Sequence, residues 1–151
     1  MSDMIMFTQA TPRFALPYLF AAQAQREFFV NEAFARIDAL LHTTVAGERP
    51  APPVDAALGK AYLVAPEASD AFAGREGCIA VRDETAWTFI APRDGMTVFD
   101  TDFGAVRRRI GDAWTAPAAP APPGGGSVVD EEARQAIAGL VAILKQAGVI
   151  S

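Results

Sequence analysis

Two periodicities follow one another along this chain. Between Thr11 and Phe20 the apolar residues Phe14, Leu16, Tyr18, Leu19 and Phe20 are crowded together and punctuated by Pro12 and Pro17. Proline fixes its own φ and pushes Thr11 and Leu16 toward extended geometry, which predicts an apolar ribbon in this segment. From Val30 the apolar positions become Val30, Ala33, Phe34, Ile37, Leu40 and Leu41, the spacing of a helix with one buried face. Asn31, Glu32 and Asp38 lie among them. A ribbon running into a helix predicts a docking device. The three polar residues are expected to tie the ribbon's backbone groups to the helix, because buried polar atoms need partners.

The helical period stops at AGERPAPPVDAA, residues 46–57. After Gly59 come short runs rich in β-branched and aromatic residues, GKAYLVA, GCIAVRD, AWTFIAP, GMTVFD, GAVRRRI and AWT, bounded by Gly, Pro and Asp. Their two-residue period pairs Tyr62 with Val64, Trp87 with Phe89 and Met96 with Val98 on common faces. Connections this short favour an antiparallel meander over crossover units.

APAAPAPPGGGS, residues 116–127, is a linker with an extended Ala/Pro half and a flexible Gly half. A second helix should follow, with Asp130 as N-cap, Glu131 and Glu132 in the first turn, Lys145 in the last, and Gly148 at a left-handed stop. Ala133, Ile137, Leu140 and Leu144 follow the rhythm of a coiled-coil seam that Val141 widens. So short a helix is marginal alone. It either folds back on its own β-region or pairs with copies of itself, and the tether permits both. The expected fold class is α+β. Residues 1–58 form the ribbon and helix, 59–115 a small antiparallel β-domain, 116–127 the linker, and 128–151 an oligomerisation helix.

A resemblance runs through the same residues. Thr11-Pro12, Leu16-Pro17, Ala22-Gln23-Ala24-Gln25, Asn31-Glu32-Ala33 and Asp38-Ala39-Leu40 form its N-terminal part. It continues through Gly59 to Leu63, then Ala86-Trp87-Thr88-Phe89, Ala91-Pro92 and Gly95. This pattern resembles the domain-of-unknown-function 2793 family, found in prophages and gene transfer agents of alphaproteobacteria within tail-fibre or head-spike proteins. Phe28 and Phe29 depart from it, standing where smaller or polar residues are expected. The resemblance implies a setting in a phage-like particle, with no activity to carry over.

Composition narrows the chemistry. The chain has 151 residues, 51% of them hydrophobic, and a formal net charge of −5. That balance argues against nucleic acid as a partner, since phosphate neutralisation needs an excess of Lys and Arg. With one cysteine (Cys78) and one histidine (His42) the chain lacks the ligand spacing of a metal site, and no metal or other cofactor is expected. The N-terminus carries Asp3 where a secretory signal would be basic, and no apolar run reaches the length of a membrane span. Manufacture in the cytoplasm followed by assembly and release by lysis fits, as does an ordinary cytosolic protein.

No catalytic constellation is visible. Glu32 and Asp38 stand six residues apart and diverge around the helix. The candidates for ligand contact are Trp114, Trp87, Tyr62 and Phe89, because sugars pack their CH faces on aromatic rings. For Trp87 and Phe89 a place in the core is the favoured expectation, and for Trp114, beside the linker, exposure. Arg107, Arg108 and Arg109 read as a charged edge strand. The expected function is non-enzymatic: a fibre or spike subunit, self-associating as a homotrimer and joined to other particle proteins by its N-terminal segment. The alternative is a carbohydrate-binding module for cell-surface polysaccharide.

Overall fold

The structure is a computed structural model that describes residues 10–19, 26–83, 86–126 and 129–150. Phe20 and the Gln/Ala stretch to Gln25 lie outside the described residues, as do Glu84, Thr85, Ser127 and Val128. The fold is α+β and divides into two units, residues 1–92 and 93–151. The predicted β-region 59–115 is therefore shared between two bodies.

The first unit contains helix α1 (Arg26–Leu40), the two-residue strand β1 (Thr44–Val45), and a sheet of β2 (Glu48–Arg49), β3 (Ala61–Val64), β4 (Ile79–Arg82) and β5 (Trp87–Ile90). The strands lie in the order β2-β3-β4-β5. β3, β4 and β5 form the expected antiparallel meander, whereas β2 runs parallel to β3. That parallel partner comes from the Pro-rich connection, where no alternation announced a strand.

Asp38 organises the segment before the helix. Its buried carboxylate accepts hydrogen bonds from Thr11 Oγ1 at 2.6 Å, Phe14 N at 2.7 Å and Arg13 N at 3.1 Å. Thr11 Oγ1 in turn accepts from Leu16 N at 2.9 Å. Gathering these donors around one residue bends the chain into a tight loop, closed by Thr11 N to Leu16 O and by a bridge between Ala10 and Pro17. The extended ribbon is thus corrected to a hairpin-like loop, with Ala15 in left-handed geometry at φ 51°. Asn31 holds the other end, accepting from Leu19 N at 2.8 Å and donating to Leu19 O at 3.0 Å.

These anchors also decide which side of α1 faces inward. Asp38 and Ala39 are buried and Asn31, Phe34 and Ala35 half-buried, while Ile37, Leu40 and Leu41 are exposed. The predicted apolar face is therefore rotated away from its expected position, because the buried side is set by the polar side chains that the loop requires. Glu32 takes no part and pairs with Arg36 on the surface at 2.7 Å. Just past the helix, His42 has φ 46°, and its carbonyl, with those of Asp38 and Ala39, accepts from the Arg13 guanidinium. Gly59 sits at φ 76° where a Cβ would come within 3.1 Å of the Arg13 side chain and 3.2 Å of Pro12, so only glycine suits this close approach.

The second unit contains β6 (Thr97–Asp100), β7 (Ala105–Ile110), β8 (Ala113–Thr115) and helix α2 (Glu131–Gln146). β7 pairs antiparallel with β6 on one side and β8 on the other. The arginine-rich run is thus a central strand, correcting the expectation of an edge. It tolerates the charge because Arg107 reaches the buried Asp100 in an ion pair at 2.9 Å and Arg109 lies 3.7 Å from Asp112.

Helix α2 begins as expected, with the Asp130 side chain accepting from Ala133 N at 2.9 Å. It ends in a Schellman motif: Val149 N donates to Leu144 O, Gly148 N to Lys145 O, and Gly148 takes φ 67°. The chain then folds back, with Gly148 O accepting from Val106 N of β7 at 2.9 Å and Ile150 buried.

Replacing Asp38 by Ala strands three donors at once, so Asp38→Ala should destabilise the protein by about 3 kcal/mol. Glu32→Ala, on the exposed side of the same helix, should change stability by less than about 0.5 kcal/mol. Chemical denaturation of the two variants compares them directly, and equal midpoints would refute the anchoring role of Asp38.

Candidate functional site

The pairings of the first sheet sort its residues onto two faces. Leu63, Ile79 and Ile90 are in register, as are Ala61, Val81 and Thr88, and these fall on one face. Pro12, Tyr18 and Ala35 line a small void together with Val81 and Thr88, so the loop and α1 cover that side. The opposite face carries Tyr62, Ala80 and Phe89 in one row and Trp87 opposite Arg82 in the next. Tyr62, Trp87 and Phe89, three of the four rings singled out in the sequence, therefore meet on one surface.

Phe72 holds them there. It is fully buried in a single 3-10 turn (Asp70–Phe72) and joins Val64 and Ala80 in a small core. Trp87 and Phe89 pack edge-on against Phe72, with ring centroids 5.0 and 5.9 Å away, and Tyr62 meets Trp87 at 6.0 Å. Such edge-to-face contacts fix ring orientation as well as burying area. Trp87 and Phe89 remain half-exposed. Cys78, half-buried, packs against the same cluster.

Tyr62 is buried, against the expectation of a ligand contact, while Trp87 and Phe89 reach the surface, and each of the three rings carries a guanidinium. Arg49 lies 5.9 Å from the Tyr62 ring, Arg82 5.8 Å from Trp87 and Arg75 5.2 Å from Phe89. None of these arginines, nor Phe72, stood out in the sequence. They come from three separate segments, and only strand register and the turn bring them together.

Trp114 belongs to the second unit, on β8 opposite Arg109, and is half-buried where exposure was expected. A residue beside a linker looks terminal in sequence, but pairing with β7 gives it a neighbour. The seam residues behave unevenly: Ile137 and Leu140 are 45% and 58% exposed, Ala133 is exposed, and Val141 and Leu144 are half-buried. His42 is exposed and its ring lies 6.1 Å from Phe14. Among the described residues no three His, Cys, Asp or Glu side chains gather where they could hold a metal ion. No helix among them is long and apolar enough to cross a membrane.

Two measurements check this geometry. Phe72→Ala should cost about 3–5 kcal/mol, since it removes the ring on which Trp87 and Phe89 rest. Iodide should quench Trp87 and Trp114 to a similar, partial degree in the variants Trp114→Phe and Trp87→Phe, and complete protection of either would contradict its half-buried position.

Comparison with known proteins adds a family and nothing finer. No curated protein and no solved structure shows significant similarity to the chain. The family described as "Protein of unknown function (DUF2793)" matches residues 30–115, a span that begins within α1 and ends with β8. It takes in Asn31, Asp38, the aromatic face and the three strands of the second unit. With more than half of its length matched, the chain belongs to the DUF2793 family.

Proposed function

We propose that this protein is a non-enzymatic structural component of a phage-like or gene transfer agent particle, serving as a fibre or spike subunit at the host-facing surface. Its particle setting follows from the motif resemblance. The assembly role is carried by one observation: helix α2 has no buried residue, and Ile137, Leu140 and Ile143 are 45%, 58% and 63% exposed. An apolar stripe left in water on a capped helix favours association. Val141 and Ile143 flank the Ile137–Leu140–Leu144 seam on either side. An apolar surface that broad suits packing among three helices better than a narrow two-stranded seam, which supports the homotrimer. Anchoring of the C-terminal turn by the Gly148–Val106 hydrogen bond gives the helix a defined exit from its own unit. Other particle proteins would engage the N-terminal segment, and the assembled particle would leave the cell by lysis.

A second reading, glycan binding, is favoured by the half-exposed Trp87 and Phe89 rings, which share the sheet face opposite the loop and α1 with the buried Tyr62. Receptor contact at such a face is compatible with a spike. Trp114, the fourth candidate ring, lies in the second unit on β8.

Ile137→Asp with Leu140→Asp should convert the oligomer to a monomer while leaving the β-sheet signal in circular dichroism intact. Light scattering that finds the unmodified chain monomeric at high concentration would overturn the assembly role.

A further inference from the structure

We propose that the open aromatic face of the first sheet takes a saccharide bearing carboxylate groups, with Arg75 and Arg82 as the residues that select for charge. The proposal rests on the glycan reading above and specifies the ligand's chemistry.

Three guanidiniums stand over three rings of one face, at 5.2–5.9 Å. A cation stacked on an aromatic ring is held by the ring's quadrupole, and the planar guanidinium still presents N–H groups along its edge. Arg82 uses Nη1 to donate to Ala86 O at 2.8 Å, which orients its plane and leaves further donors. Arg75 is exposed. Among the described residues neither arginine meets a carboxylate within ion-pairing distance. Glu48 is in register with Leu63 and so points to the covered side, and Glu76 bonds back to Gly74 N. The face therefore offers the half-exposed Trp87 and Phe89 rings beside the Arg82 and Arg75 guanidiniums, which meet no carboxylate among the described residues.

That pairing matches one kind of ligand. A pyranose ring with a carboxylate has an apolar CH face for Trp87 or Phe89 and a planar anion for an arginine fork. A neutral sugar would use the rings and leave the guanidiniums idle. A densely charged polyanion such as nucleic acid is disfavoured by the net charge of −5 over the whole chain, so the charge on the ligand must be spaced.

The test uses the full chain and titration calorimetry with oligogalacturonate, oligomannuronate and sialyllactose. The controls are the methyl ester of each acid and a neutral dextran oligomer. At least one free acid should bind about tenfold or more tightly than its ester, and rising salt should weaken it. Arg75→Gln should remove most of that preference without shifting the melting temperature. Arg82→Gln should act likewise, and Trp87→Phe should weaken acid and ester together. Equal binding of acid and ester would overturn the charge selection while leaving a sugar platform. Binding of no acid, ester or neutral oligomer would overturn the glycan reading along with it.

Discussion

A carboxylate taken out of water must be met by donors, and Asp38 meets three of them from a single loop. The rest of the first unit depends on this exchange. With Asp38 facing inward, α1 is held in one rotation, Arg13 is placed to cap its last carbonyls, and Pro12 and Arg13 are brought against Gly59 at the start of the sheet. Apolar burial alone would have turned α1 by its Ile37 and Leu40 side. The cost of an unsatisfied buried carboxylate exceeds the gain from covering two half-exposed aliphatic side chains, and the polar contact wins.

The consequence reaches the other side of the sheet. One face is lined by the loop and the helix, and on the opposite face the 3-10 turn places Phe72 against the rings. Phe72 is a single ring, enough to seat Trp87 and Phe89 edge-on but too small to bury them. Arginine side chains complete the cover, their charged ends remaining in water.

The second unit solves a similar problem with a different pair. Asp100 is fully buried, caps the turn after β6 by accepting from Asp102 N and Phe103 N, and meets Arg107 of the next strand. An arginine-rich strand can therefore lie in the middle of a sheet. The Schellman turn then ties the end of α2 to β7 and leaves the helix body uncovered. Fold-back and self-association, which looked like alternatives, are compatible because they use different residues.

Much of the architecture was legible in local chemistry. The α+β class, the meander strands, the Asp130 cap, the Gly148 stop and the tethering roles of Asn31 and Asp38 follow from propensity, period and the need of polar groups for partners. Each of these is a property of a few neighbouring residues. The loop closing around Asp38, the rotation of α1, the central place of β7, and the meeting of Phe72, Arg49, Arg75 and Arg82 with the aromatic rings were not legible. All of them depend on which distant segments become neighbours, and strand register sets that through contacts with no local pattern. The sequence by itself thus determined the two helices, the meander strands and the C-terminal stop, but not the parallel strand β2 or the 3-10 turn of Phe72. Only the tertiary structure decided which faces were covered and which were left open, because each surface had competing partners and burial energy chose among them.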